Sequence, residues 1–337
     1  MFYEIYDDER VKCLECRQYC IIKKGRYGVC GVKKNIDNKL YSLVYGKPIA
    51  VNLDPIEKKP LFHFLPGARA LSYATVGCNF KCLFCQNWDI SQMPRDKYHR
   101  IEGYDVSPEE MVQLALRYNA EVIAHTYTEP SVFFEYAYDI AKLSDKYGIK
   151  NVFVTNGYIS PEALEAIRPY LHAVNIDLKG WSEDYYRKII GAKLSEVLDS
   201  VKLHKKLGIW VELTTLVVPG WNDTEDQLRE IARFIRDEVG PETPWHISRF
   251  HPAYKMRDYP PTPIETLKMA YRIGKEEGLR FVYLGNVPGD ETENTYCPHC
   301  GRLLIKRWGF EILENHLVDG RCPYCGEKIE GVWTLAK

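Results

Sequence analysis

The sequence predicts an α/β fold: a partial or nearly closed (β/α) barrel, preceded by a small cysteine-bearing segment and followed by a metal-bound ribbon. Two observations carry this expectation. Seven short apolar runs alternate with amphipathic stretches between about residues 70 and 285. Repeated strand–helix units of that length need parallel strands and right-handed crossovers. Seven of them fit an incomplete barrel better than a doubly wound open sheet. The second observation is that the eleven cysteines fall into groups of four, three and four. An odd count in a reducing compartment does not suit disulfides, but it suits a closed, an open and a closed metal site.

Three segments follow in order. Residues 1–66 carry Cys13, Cys16, Cys20 and Cys30 with little helical periodicity, then a proline-punctuated connector from Asp54 to Gly67. Prolines and a closing glycine mark that connector as irregular; Asp54 and Glu57 are general acid/base candidates there, with a solvated loop face as the simpler expectation. Residues 67–288 form the barrel. Its expected strands are 71–76, 121–126, 151–155, 173–178, 209–217, 245–250 and 280–284. The helices between them are expected at 107–118, 131–147, 160–168, 182–190, 194–207, 224–238 and 263–277. Ser107-Pro108 and Ser160-Pro161 are start signals, with serine as N-cap and proline in the first turn. Residues 289–337 begin with a polar linker, Gly289 to Asn294, and continue as a ribbon.

Composition narrows the function. A net charge of −1 supplies no field toward nucleic acid or anionic membrane. The first ten residues are acidic and lack the apolar stretch of a signal peptide, and no apolar run is long enough to span a bilayer. These features point to a cytoplasmic protein.

The cysteine groups carry the chemistry. Cys78, Cys82 and Cys85 are spaced C-x3-C-x2-C directly after an apolar run. Three thiolates can hold three irons of a [4Fe–4S] cube and leave the fourth open to a ligand. Cys297-Pro-His-Cys300-Gly and Cys322-Pro-Tyr-Cys325-Gly form two knuckles around a short hairpin. This reads as a four-thiolate zinc ribbon, with a rubredoxin-like iron as the rival. So small a unit draws its folding energy from the metal. The uneven spacing of Cys13, Cys16, Cys20 and Cys30 suits either a second metal, such as structural zinc, or an auxiliary iron–sulfur cluster.

Cys78–Cys85, with Phe84 before the third cysteine, resembles the radical S-adenosylmethionine (radical SAM) signature at the end of a first barrel strand. The resemblance implies a [4Fe–4S] cluster whose open iron chelates S-adenosylmethionine. Its one-electron cleavage would yield a 5′-deoxyadenosyl radical that abstracts hydrogen. Thr126-Tyr-Thr-Glu-Pro130 resembles the Gly-Gly-Glu-Pro element, with Tyr127 and Thr128 in place of the glycines and Glu129 kept. Thr155-Asn156-Gly157 and Asp177-Leu-Lys179 resemble strand-end elements of the glycyl-radical-enzyme activases. There the aspartate helps hold a monovalent cation, although Val154 stands where those relatives carry an acid. Arg249-Phe-His251 fits the sixth strand end, where a histidine contacts the methionine part, and Gly285-Asn286 is a further candidate contact.

The whole chain is similar to the radical SAM member of the AmmeMemoRadiSam system, most distinctively at Cys85-Gln-Asn-Trp88. That resemblance implies Memo-family and AMMECR-domain proteins as partners, together with a reductant protein. A glycyl-radical-enzyme activase is the alternative activity. A non-enzymatic module docking protein or nucleic acid is the third reading, and the ribbon's near-balanced charges speak against a nucleic-acid footprint.

Overall fold

The computed structural model describes residues 2–287 and 289–334. Five short strands come first. Strands β1 (Tyr3–Ile5), β2 (Arg10–Cys13) and β3 (Ile21–Lys23) form an antiparallel sheet, and β4 (Lys33–Ile36) and β5 (Lys39–Ser42) form a hairpin. The hairpin turns on Asp37 and Asn38, both left-handed with φ of 50° and 59°. A two-residue turn needs this geometry to match the strand twist, and Asp and Asn tolerate it.

The main sheet has eight strands: β6 (Ala50–Pro55), β7 (Arg69–Ala74), β8 (Val122–His125), β9 (Lys150–Thr155), β10 (Ala173–Asp177), β11 (Trp210–Val217), β12 (Trp245–Arg249) and β13 (Val282–Gly285). They lie in unbroken chain order, and β7–β13 are all parallel. Unbroken order means that every crossover turns the same way, which is barrel winding and not the reversal of a doubly wound sheet. The sheet ends at β13 on one side and at β6 on the other, so the barrel is open among the described residues. Strand β6, antiparallel to β7, lies in the stretch expected to be loop and connector.

Alternation along the strands places the two cores. Leu71, Ile123, Phe153 and Val174 pack with helix residues such as Val112, Ile140 and Leu164. Their neighbours Ala70, Val122, Val152 and Ala173 point to the opposite face and pack with Ile56, Leu61, Phe64 and Leu65. The connector is therefore a plug inside the barrel. The expectation of a solvated loop face at Asp54 and Glu57 is corrected: both side chains are buried. Glu57 accepts from the Gly67 N–H at 2.8 Å, and Asp54 is bonded to Lys58, Lys59 and Tyr127.

The helices lie where the periodicity placed them, from Pro108–Arg117 to Ile264–Glu276, with two exceptions. Expected helix 182–190 is one α-turn, Glu183–Tyr185, followed by a widened π stretch, Tyr186–Ile190, closed by left-handed Gly191. The carbonyls of Ile189 and Ile190 there accept from Leu83 and Lys81 of the cysteine loop, the kind of functional contact that π stretches accompany. Expected helix 224–238 likewise ends in a π stretch, Ile235–Val239. A short helix, Trp88–Ser91, follows Cys85, with Asn87 at its N-cap position but no side-chain cap bond.

The chain closes with β14 (Thr295–Tyr296), β15 (Leu303–Trp308) and β16 (Glu311–Asn315), an antiparallel sheet. Leu304, Ile305 and Ile329 of this unit pack on Phe62, Phe281 and Tyr283. It thus sits at the amino-terminal side of the barrel, away from the strand ends that carry the polar motifs.

Candidate active site

After β7 the chain makes a tight turn at Gly77, whose φ of 99° only glycine adopts without strain. The next eight residues carry Cys78, Cys82 and Cys85. Three backbone bonds fix this loop from two sides: Gly77 N–H to Ile90, and Lys81 N–H to Ile190 with Leu83 N–H to Ile189, all within 3.1 Å. Arg95 ties it further, donating to the carbonyls of Cys78 and Phe80.

The three thiols open into one cleft of about 580 Å³ at the carboxyl ends of the strands, where barrel enzymes place their chemistry. Burial pushes the Cys78 thiol well up and Cys82 to about 12, with Lys179 pulling Cys82 back down. Such thiols stay protonated until a metal ion displaces the proton. Phe80 N–H points at Cys78 Sγ at 3.4 Å, and Ser91 Oγ lies 3.4 Å from Cys85 Sγ.

Most of the other expected site residues line the same cleft: Phe84, Thr128, Glu129, Thr155, Asn156, Asp177 and Lys179. Glu129 is buried and accepts four bonds, from Thr155 Oγ1 (2.7 Å), Asn156 N–H (2.8 Å), Ser131 Oγ (2.8 Å) and Ser131 N–H (3.1 Å). Burial raises its pKa against these donors. Its carboxylate therefore braces two strand ends. Asn156 Nδ2 donates to Asn79 Oδ1 at 2.7 Å and faces Cys78 Sγ at 3.9 Å. Lys179 Nζ pairs with Asp177 at 2.8 Å and lies 5.8 Å over the Phe84 ring. Burial alone would lower the Lys179 pKa, but Asp177 and the Cys82 thiol hold it above its ordinary value. His251 is placed differently. It is exposed beyond β12, its carbonyl accepts from Gln86 Nε2 at 2.9 Å, and it is not among the residues lining the cleft.

Some lining residues carried no signal in the sequence. Lys58 and Lys59 reach the cleft from the plug. Lys59 is paired with Asp54 at 2.7 Å, yet burial still lowers its pKa to about 8. Ser248 lines it too, and accepts from Nδ2 of Asn286, the candidate after β13, at 3.0 Å. Tyr127 holds the first glycine position of the Gly-Gly-Glu-Pro element in the left-handed region, with φ of 61°. That costs about 1–3 kcal/mol. Its hydroxyl donates to Asp54, its ring lies 4.5 Å from Lys59 Nζ, and its carbonyl accepts from Asn87 Nδ2 at 2.7 Å.

The geometry has close counterparts among known proteins. A family model described as the radical SAM superfamily matches residues 72–235. An uncharacterized protein of Methanocaldococcus jannaschii is 52% identical over 332 residues, covering 98% of both chains. The chain belongs to the radical SAM superfamily. The pyruvate formate-lyase 1-activating enzyme of Escherichia coli strain K12 is 24% identical over 238 residues, 65% of this chain and 93% of that one. A radical SAM methyltransferase from Sphaerobacter thermophilus shares the fold, with TM-score 0.51 and 14% identity over 71% of each chain. Streptococcus suis SuiB bound to S-adenosylmethionine also matches at TM-score 0.51, with 12% identity over 68% of this chain and 53% of that one.

Radical SAM membership makes this chain an enzyme and implies a [4Fe–4S] cluster and S-adenosylmethionine. The residues present fit both groups. Three thiols share a cleft with a buried cation, and no three of their ligand atoms crowd within 4.8 Å as they do at a single-ion site. Among the described residues, Cys297, Cys300, Cys322 and Cys325 are the group that does crowd in this way. Cys297 and Cys325 sulfurs are 3.6 Å apart, and Cys300 and Cys322 sulfurs 3.7 Å. Gly301 and Gly326 after the knuckles are left-handed, with φ of 71° and 78°. Cys13, Cys16, Cys20 and Cys30 line a separate pocket next to Asn79. No helix among the described residues is long and apolar enough to cross a membrane.

Proposed function

We propose that this radical SAM enzyme reductively cleaves S-adenosylmethionine and uses the resulting 5′-deoxyadenosyl radical to abstract hydrogen from a substrate. The observation that carries this reading is the convergence of Cys78, Cys82 and Cys85 with the Asp177–Lys179 pair in one cleft. In this reading the three thiolates hold the cluster. When bound, a cluster with one open iron supplies the electron that breaks a sulfonium C–S bond. The Lys179 ammonium is placed to face the methionine carboxylate, with Asp177 fixing its position. Thr128, Thr155 and Asn156 offer polar contacts at neighbouring strand ends. Phe84 covers the apolar side, and Glu129 holds the strand ends in register. His251 keeps a contact with the methionine part only as an expectation from the family pattern.

Anaerobically reconstituted protein with dithionite should release 5′-deoxyadenosine from S-adenosylmethionine, measured by chromatography. Cys82→Ala should release none. Wild-type protein with a full cluster and no 5′-deoxyadenosine would sink the reading.

The likeness to the pyruvate formate-lyase activating enzyme supports a second reading, a glycyl-radical-enzyme activase. It calls for a glycine-centred radical in a partner protein, seen by electron paramagnetic resonance. Motifs along the whole chain, most distinctively Cys85-Gln-Asn-Trp88, favour instead a Memo-type partner, with an AMMECR-domain protein in the same system and a reductant protein supplying electrons. Hydrogen-atom abstraction from a substrate presented by a Memo-family protein would raise 5′-deoxyadenosine yield when that protein is added.

The C-terminal group is read as zinc. A zinc ion held by four thiolates at about 2.3 Å sets the sulfurs about 3.8 Å apart, close to the spacing found. The three segments, a metal segment and connector at 1–66, the radical SAM barrel at 67–288 and a zinc ribbon at 289–337, are proposed as units, although β6 and the connector of the first join the barrel sheet and fill its interior. The eleven free thiols suit a reducing compartment, the cytoplasm.

A further inference from the structure

We infer that Cys13, Cys16, Cys20 and Cys30 hold a second iron–sulfur cluster, built against the loop of the first. The inference rests on reading Cys78, Cys82 and Cys85 as a [4Fe–4S] site. Two observations carry it, one of spacing and one of position.

The spacing distinguishes a cluster from a single ion. All four N-terminal cysteines line one pocket, together with Val29, Lys33 and Asn79. Yet no three of their sulfurs lie within 4.8 Å of one another, whereas the four C-terminal sulfurs all do. One zinc gathers its thiolates onto the corners of a tetrahedron with edges of about 3.8 Å. Cysteines that ligate separate corners of a cube stand farther apart, because the cube lies between them. The central triad, which the family assigns to a cube, has this same open spacing. Val29 N–H also points at Cys20 Sγ at 3.5 Å, the kind of bond to ligand sulfur that tunes a cluster's potential.

The position ties the two sites together. Asn79 directly follows Cys78 and is buried in the wall between the sites. Its Oδ1 faces Cys78 Sγ at 3.9 Å, its carbonyl accepts from Gln18 Nε2 at 3.1 Å, and the residue also lines the four-cysteine pocket. Arg95 clamps the same two loops, donating to Val29 O at 2.8 Å and Phe80 O at 2.8 Å. Gly77 must stay glycine for a related reason. A Cβ there would stand 2.8 Å from Val32 Cγ1 and 3.2 Å from Cys30 O. A cluster in this pocket is one side chain away from the first. It is placed to pass on a single electron from a low-potential donor protein, its own iron being oxidised as the central cluster is reduced.

The test is a metal count on the full-length protein reconstituted anaerobically with iron and sulfide. The expected result is about eight irons and one zinc per chain. Cys78→Ala/Cys82→Ala/Cys85→Ala should keep about four irons. Its reduced paramagnetic signal should not respond to S-adenosylmethionine. In wild-type protein reduced at both sites, the two signals should broaden each other. About four irons in the wild type, with one zinc or two, overturns the inference. So does a triple variant without iron. If the triple variant does not fold, the wild-type count decides alone. Failure of the central reading looks different: a Cys13→Ala/Cys30→Ala variant with a full cluster that ignores S-adenosylmethionine.

Discussion

The two four-cysteine groups have the same ligand count and opposite designs. The C-terminal group is local. Each of its two knuckles is a single turn, the pairs are joined by the β15–β16 hairpin, and Cys300 and Cys325 face solvent. The N-terminal group is distributed. Cys13 ends β2, Cys16 bridges to Ile159 beyond β9, Cys20 precedes β3, and Cys30 leads into the turn against Gly77. A local group closes on one ion with no help from the rest of the chain. A distributed group is held open by the barrel it sits on. The number of cysteines therefore says less about the metal than what holds each one.

The sharpest way to break this comparison is to remove a ligand from the local group. Cys322→Ser should release its metal and unfold the ribbon, because structural zinc supplies on the order of 10 kcal/mol of folding free energy to such units. One equivalent of zinc should disappear by mass spectrometry, and Trp308 and Trp333 fluorescence should shift. The barrel's iron content should stay. Loss of iron along with zinc would mean that the ribbon is no independent unit.

The next effect is smaller and concerns how the ribbon side is fastened to the barrel. Glu212, on β11, is fully buried and accepts from Phe62 N–H (3.0 Å), His63 N–H (2.8 Å), Trp210 Nε1 (3.0 Å) and His246 Nε2 (2.7 Å). Burial raises its pKa, but His246 and the other donors hold it below its ordinary value. Glu212→Ala strands four donors, the buried His246 among them, and should cost about 3–5 kcal/mol. A thermal melt of the full chain measures this. A change under about 1 kcal/mol would show that the plug is held by apolar packing alone.

These contrasts also explain what was legible beforehand. The strand–helix alternation could be read because each helix carries its own periodicity and several carry their own cap, such as Ser107 accepting from Glu110 N–H. The cleft residues at strand ends could be read because their motifs are contiguous. Lys58 and Lys59 could not, since their route into the cleft depends on the connector filling the barrel. Strand β6 was hidden for a similar reason. It pairs antiparallel with β7 across the thirteen residues between Pro55 and Arg69 and has no amphipathic helix before β7 to announce it. The π stretch at Tyr186–Ile190 follows from bonds to a loop a hundred residues earlier, which no local pattern encodes. His251 matched a motif, but the chain after β12 turns it outward.

The smallest effect is one of pH, at the junction between ribbon and barrel. His63 is fully buried, with Nδ1 donating to Glu330 O at 2.7 Å and Nε2 accepting from Tyr283 Oη at 2.6 Å. Burial lowers its pKa from 6.5 to about 4, although Glu212 pulls the other way. The folded protein therefore binds this proton later than the unfolded chain does. Its contribution to stability is complete above pH 6.5 and is lost as the pH falls toward 4. Between pH 7 and pH 5 the loss should be about 2 kcal/mol for this one group. His125 and His204, also buried with pKa values near 4, add to the same slope but lie within the barrel. His63→Gln separates them. If the acid sensitivity belongs to the junction, the variant melts at a lower temperature at pH 7 but loses less on going to pH 5. An unchanged slope would assign the sensitivity to the barrel and leave the ribbon's attachment indifferent to acid.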